Sequence, residues 1–348
     1  MQTVVDCTDL DGELRFFVDR AGFRVHLVSP ADDPRRVVVE RNGSLIELRR
    51  GSEDHPVRVR IDGEPQDDEI VSPGGSIIEL TSGSDAVDIP PNRPTLTVIE
   101  AVNGDFGTGR AGMQYRDLLP DRWGGRFIAS HIRIDEEGDV ADWVHFHRIR
   151  FQMIFVAAGW VDVVYEGQGE PFRMYPGDCV LQPPEIRHRV LRSSGGLEVI
   201  EIGCPAEHDT LADHELDLPT TRDEPDRSFS GQRFVRHVAE GSQPTSWIDP
   251  SLDVVDTGIG EATDGLAGAV VVSSASGPVG RPLSHDGEFA LVVGLAGDAV
   301  LDLGERTVAL AARTSVAIPP GTAWSWSEHG AGHRALVVTL PADGIRGC

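Results

Sequence analysis

The sequence predicts a mainly β chain, with two jelly-roll barrels in tandem behind a small N-terminal α+β module. Three observations carry this reading. Between residues 111 and 215, short apolar runs such as RFIASHIRI, QMIFVAAG, WVDVVYEG, HRVLRS and LEVIEIG alternate with Gly- and Pro-rich turns, as expected for a closed all-β domain. The pattern returns between 246 and 341, in GEFALVVGLAGDAVLDLG, RTVALAARTSVAIPPG and RALVVTLP. The first eighty or so residues differ, reading as strand, helix and then hairpins.

Residues 1–83 open with VVDCTDLDGELRFFVDRAGFRVHLVSP, a strand, a short amphipathic helix near Leu10 to Ala21 and a second strand. RVVVERNGSLIELRRG is a hairpin turning at Asn42-Gly43, and DEIVSPGGSIIEL turns at Pro73-Gly74-Gly75. Residues 84–110, rich in Pro, Gly and Asn, read as a linker whose one apolar run can join the barrel that follows. The polar stretch EHDTLADHELDLPTTRDEPDRSFSGQ leads into a crossover linker over 216–245. His208 and His214 fall in that stretch with no strand to orient them, so neither is expected to be a ligand.

Composition narrows the function. A chain of 348 residues is long enough for several cores. No apolar run approaches a membrane span, and the opening MQTVVDCTDLDGEL is not signal-like. Four scattered cysteines without CxxC spacing fit a reducing cytoplasm, the expected location. A formal net charge of -25, spread along the chain, argues against nucleic-acid binding. All 31 basic residues are arginine. A lysine Schiff base and a P-loop GK[ST] are therefore excluded.

The chemistry is concentrated in HFHRIRFQMIFVAAG and GDCVLQPPEIRH. His145 and His147, at i and i+2 on a strand, point to one face. A third histidine from a distant strand, His188, can close a facial three-nitrogen site suited to a divalent transition metal. The spacing resembles the paired motifs of the cupin superfamily, G-x5-H-x-H-x3–4-E-x6-G and G-x5-P-x-G-x2-H-x3-N. His145, His147 and His188 fall on the histidine positions, and Gly159, Gly177 and Pro183 on three punctuation positions. Gln152 stands where the motif has glutamate, Glu185 where it has glycine, Arg192 where it has asparagine, and Asp139 at the first glycine. In the second repeat Gly277, His285, Gly297, Pro319 and Gly321 align, but Leu283, Ala290 and Trp324 occupy ligand positions. The resemblance therefore implies a bicupin of about 200 residues, one barrel metal-binding over 111–215 and one metal-free over 246–341.

The βαβββ order of residues 1–83, with FFVDRAGFRV and the terminal GGSIIEL, is similar to one module of the vicinal oxygen chelate (glyoxalase-like) superfamily. There a ligand sits on the first strand and another on the last, which here are the positions of Gln2 and Glu79. A complete site of that kind needs two modules, so the resemblance and the second barrel both point to a homodimer.

The metal is expected on His145, His147 and His188, with Gln152 as a weak oxygen ligand or a hydrogen-bonding neighbour. Fe(II) is favoured, with Zn, Mn and Ni as alternatives. With no glutamate in the set, the general base is either absent or another carboxylate. Glu185, three residues before His188, is one candidate; Glu201 shares a strand face with Leu197 and Val199, and one of the two could be an inward carboxylate meeting substrate, the alternative being that both are ion-paired with Arg187 or Arg189. His131 and Arg133 share a face of IASHIRI and could grip a substrate carboxylate. Three readings remain open. They are a dioxygenase acting on a small chelating or enolisable molecule, an isomerase, epimerase or lyase working through an enolate without O2, and a non-catalytic small-molecule binder.

Overall fold

The computed structural model describes residues 3–31, 33–62, 70–81, 87–102 and 105–348, which fall into two compact units, Met1–Ala86 and Val87–Cys348.

In the first unit Asp9 caps the helix Leu10–Arg15 by accepting from the Gly12 amide, which satisfies one of the otherwise unpaired N–H groups. A wider turn, Phe16–Arg20, continues it and places Phe16 and Phe17 in the core with Val5, Val37 and Leu48. The sheet order is Thr3–Cys7, Ser44–Arg50, Arg36–Arg41, Arg24–Ser29, with the first pair parallel. This is the expected strand–helix–three-strand order, but it closes one hairpin earlier than the sequence suggests. Ile77–Thr81 lies in a separate three-stranded sheet, parallel to Arg58–Asp62, where Glu79 is ion-paired with Arg58. Glu79 therefore does not share a sheet with the first strand, and Gln2 lies outside the described residues.

The second unit holds both barrels. The first barrel is a seven-stranded sheet running from Val235–His237 to Gly107–Thr108, closed by a six-stranded sheet that carries His145–Arg148 and His188–Ser193. The second barrel repeats the plan, with a seven-stranded sheet from Thr245–Ser246 to Thr97–Ile99 and two smaller sheets. Both linkers contribute strands, and to unexpected partners. Thr97–Ile99 passes over the adjacent barrel and pairs with Ser315–Ala317 of the second. Val235–His237 turns back to pair with Cys179–Leu181 of the first.

The two large sheets pack face to face, and alternation along each strand decides what they bury. Phe151, Met153 and Phe155 point to the seam, as do Ile200, Ile202, Leu291 and Val293. Phe127 stacks on Phe289 across it, with ring centroids 4.3 Å apart. Burying one such ring stabilises by roughly 2–3 kcal/mol, so the seam is a core in its own right. At its rim Glu288 accepts from Arg150 at 2.9 and 3.0 Å and from Arg126 at 2.5 and 3.2 Å. The alternate residues Gln152, Ile154, Leu197, Val199 and Glu201 face the interior of the first barrel.

The second barrel is filled by its own side chains. Leu283, Ala290 and Trp324, at the ligand-equivalent positions, are buried in one apolar cluster with Trp326. His285 is committed there, donating Nε2–H to the Ile318 carbonyl at 2.7 Å.

Candidate metal centre

Strand register assembles the triad. His145 pairs directly with His188 across antiparallel strands, and His147, two residues along, faces the same side. The rings stand 4.2 Å (His145–His188), 5.1 Å (His145–His147) and 5.2 Å (His147–His188) apart. Their donor atoms all come within 4.8 Å of one another, the one such group of His, Cys, Asp or Glu among the described residues.

Each ring is oriented through Nδ1. His145 Nδ1–H donates to the Trp143 carbonyl at 2.8 Å and His188 Nδ1–H to the Ile186 carbonyl at 3.0 Å. His147 Nδ1 lies 2.9 Å from the Thr210 hydroxyl. A carbonyl oxygen only accepts, so His145 and His188 keep the proton on Nδ1 and carry their lone pairs on Nε2, the arrangement of a metal-ligating histidine. Burial holds His188 and His147 well below the usual imidazole range, and burial with the Arg110 charge lowers His145. Neutral rings are what a metal requires.

Gln152 lines the same cavity as the three rings. Its Nε2 donates to Glu201 at 2.6 Å, and its Oε1 is buried without a hydrogen-bond partner. An orphaned buried oxygen in the same cavity as three clustered imidazoles fits a cation or a molecule bound to one. Glu201 lines the cavity with Leu197 and Val199, as its position on the strand implies.

Arg110 was not visible as a site residue in the sequence. Its Nη2 lies 3.0 Å from His145 Nε2, within reach of that lone pair, and its Nη1 is ion-paired with the fully buried carboxylate of Asp142. Asp142 also accepts from the Val190 amide at 3.0 Å. The guanidinium thus occupies the nitrogen that a cation at the triad would take.

The triad stands in a cavity of about 410 Å³ whose walls are rich in Ile, Val, Leu and Met, including Ile132, Ile154, Val163, Met174 and Val199. Tyr165 stacks on His188 at 5.4 Å and accepts from Gln182 Nε2 at 2.7 Å. His208 and Thr210 also line it. Far from being unoriented, that segment is held by strand Asp209–Ala212, which pairs with His145–Arg148. His214 is exposed.

Three sequence candidates do not reach the cavity. Glu185 is half-exposed, 3.5 Å from Arg148 in an ion pair, and does not line the cavity. His131 and Arg133 face away from the interior because His131 pairs with Ile200, whose side chain belongs to the seam, while Ile132 pairs with Val199 of the cavity wall. His131 instead contacts Glu198 at 3.2 Å and Arg116 at 3.3 Å, and Arg133 donates to Gln114 at 2.9 Å.

No protein-family model and no curated protein matches the chain. Solved structures do. A mutant of oxalate decarboxylase from Bacillus subtilis aligns at TM-score 0.52 and 10% identity, over 74% of this chain and 81% of that one. A mutant of salicylate 1,2-dioxygenase from Pseudoaminobacter salicylatoxidans aligns at TM-score 0.52 and 12% identity, over 77% and 91%. Another match, at TM-score 0.52 and 11% identity over 74% and 81%, is the Bacillus subtilis oxalate decarboxylase in work on its Mn(II) centres. At these identities the likeness is one of fold, the tandem-barrel arrangement that the cupin motifs imply.

Proposed function

We propose that the protein is a metal-dependent cupin enzyme, a non-haem Fe(II) dioxygenase acting on a small chelating or enolisable organic molecule. One observation carries the reading: three imidazoles bring donor nitrogens within 4.8 Å of one another, two of them with Nδ1–H tied to a carbonyl and the lone pair on Nε2, in a cavity also lined by Gln152, whose oxygen has no partner. All four groups are neutral, so a divalent ion there keeps its full charge, and a substrate that chelates as an anion supplies the balance. Bound there, Fe(II) would supply Lewis acidity and redox chemistry with O2. His145, His147 and His188 hold it. Gln152, its amide pinned by Glu201, keeps an acceptor oxygen towards a substrate hydroxyl or water. Arg110, once off His145, offers N–H donors to an anionic oxygen. The aliphatic walls exclude water and favour a substrate with an apolar body.

Glu201 favours a second reading. A carboxylate inside the cavity could move a proton to or from an enolisable carbon, which suits an isomerase, epimerase or lyase carrying Zn, Mn or Ni and needing no O2. The resemblance of the first unit to a glyoxalase-like module supports it.

Metal content of anaerobically purified protein, measured by elemental analysis on wild type and His188→Ala, tests both. Iron at one ion per chain, lost in the variant, with oxygen uptake on enolisable substrates, supports the dioxygenase. Zn, Mn or Ni with O2-independent turnover supports the second reading. No metal in either protein after reconstitution overturns both.

A further inference from the structure

The triad has a fourth histidine for a neighbour. His208 stands edge-on to His147 with ring centroids 5.3 Å apart, about as close as His147 stands to His188 at 5.2 Å. It is tied in the same way as His145 and His188, its Nδ1–H donating to the Pro205 carbonyl at 3.1 Å. A carbonyl only accepts, so Nδ1 carries the proton of this bond and Nε2 is the nitrogen left for the cavity. Both ends of this segment are anchored: Ala206 donates to the Gly125 carbonyl at 3.0 Å, and Asp209–Ala212 is a strand on His145–Arg148. A half-buried ring held by one nitrogen in a cavity wall is built to present the other. His208 is not one of the three residues whose donor atoms lie within 4.8 Å of one another, so it lines the cavity as a neighbour of His147 and not as a fourth ligand.

We propose that His208 is a substrate-binding residue whose Nε2 accepts a hydrogen bond from an O–H or N–H on the chelating head group. The site then selects chelators that keep one such donor beside their chelating oxygens. This rests on the metal-site reading above. His208 complements Gln152, which reads the head group from the strand Phe151–Ala158 on the opposite sheet. The walls between them bind only the apolar body.

The test uses the Co(II)-loaded full-length protein, titrated in the visible region with benzohydroxamate and with its N-methyl derivative. Both chelate through two oxygens, and only the first keeps an N–H. Wild type is expected to bind the N–H form about tenfold more tightly, the worth of one hydrogen bond in such a site. His208→Phe keeps the bulk of the ring and removes the acceptor, so the preference should vanish. His208→Gln keeps an acceptor and should recover part of it. His208→Leu serves as a second acceptor-free variant if the phenylalanine is not tolerated. No preference in wild type, or one that survives in the acceptor-free variant, overturns the proposal while leaving the metal site standing. The metal reading fails separately, and takes this proposal with it, if wild type takes up no Co(II) or if His188→Ala takes up as much.

Discussion

Gln152 donates its amide nitrogen to Glu201 at 2.6 Å, and this bond fixes which way the amide faces. The carboxylate accepts, so the nitrogen turns to it and the carbonyl oxygen is left buried without a partner. The residue that replaces the usual glutamate thus keeps an oxygen in the site, held in place by a carboxylate from the neighbouring strand.

Gln152→Glu would set two carboxylates at hydrogen-bond distance. Like charges this close raise the pKa of one of the pair above its unfolded value of about 4.3. A raised folded pKa gives stability that is present at low pH and lost as pH rises through it. The metal-free variant should therefore lose Tm relative to wild type between about pH 5 and 8, by the equivalent of about 1–3 kcal/mol. A bound divalent metal should cancel the loss. Thermal melts across pH, with and without metal, check this, and parallel wild-type and variant curves would contradict the Gln152–Glu201 contact.

Arg110→Gln separates charge from packing in the same site. The change removes the guanidinium beside His145 Nε2 and leaves Asp142, buried and 3.6 Å from His145 Nδ1, without its counter-ion. Breaking a buried pair is costly, so the metal-free variant should be about 2–3 kcal/mol less stable by urea denaturation. Its affinity for a divalent cation should rise at least tenfold, because a repelling charge has gone and an attracting one is uncovered. Weaker metal binding by calorimetric titration would show instead that Arg110 supports the loaded site.

The triad was legible in the sequence because it depends on local rules: alternation along HxH and a third histidine at a fixed offset. Glu201 was legible for the same reason, since it shares its face with Leu197 and Val199. His131 and Arg133 obey the same alternation but face away from the cavity. Which face looks inward is set by the pairing of His131 with Ile200, and nothing local to IASHIRI records that partner. Arg110 and His208 had no periodic signal at all. A short turn and a strand paired at long range bring them to the cavity. The strand exchange was hidden likewise, since Thr97–Ile99 is an ordinary apolar run whose partner lies over two hundred residues on, at Ser315–Ala317.

Glu185 occupies the motif's glycine position and holds φ of +63°. A left-handed backbone costs a residue with a Cβ about 1 kcal/mol, and the half-exposed ion pair with Arg148 offsets little of that. Glu185→Gly should therefore stabilise the protein by up to about 1 kcal/mol, net of the entropy glycine adds to the unfolded chain. Metal affinity should not change, because Glu185 does not line the cavity. A substantial loss of activity without loss of stability would return Glu185 to the chemistry.

The seam between the barrels supplies an acid-sensitive element. Hydrogen bonds from Arg150, then those from Arg126, hold the Glu288 carboxyl down to about 2, against an ordinary value of 4.5. A folded pKa below the unfolded one gives stability that is complete above the unfolded value and is lost as pH falls towards the folded one. The contribution of Glu288 is therefore present above about pH 4.5 and fades between there and about pH 2. Glu288→Gln should lower the urea midpoint at pH 7 and flatten the fall in that midpoint below pH 4.5, so that wild-type and variant curves converge in acid. Glu198, held down to about 2 by His131 first and Arg313 after it, titrates over the same range and sets the slope that remains in the variant. If the variant loses the same stability at pH 7 as in acid, packing of Glu288 against the seam, and not its charge, is what joins the barrels at this rim.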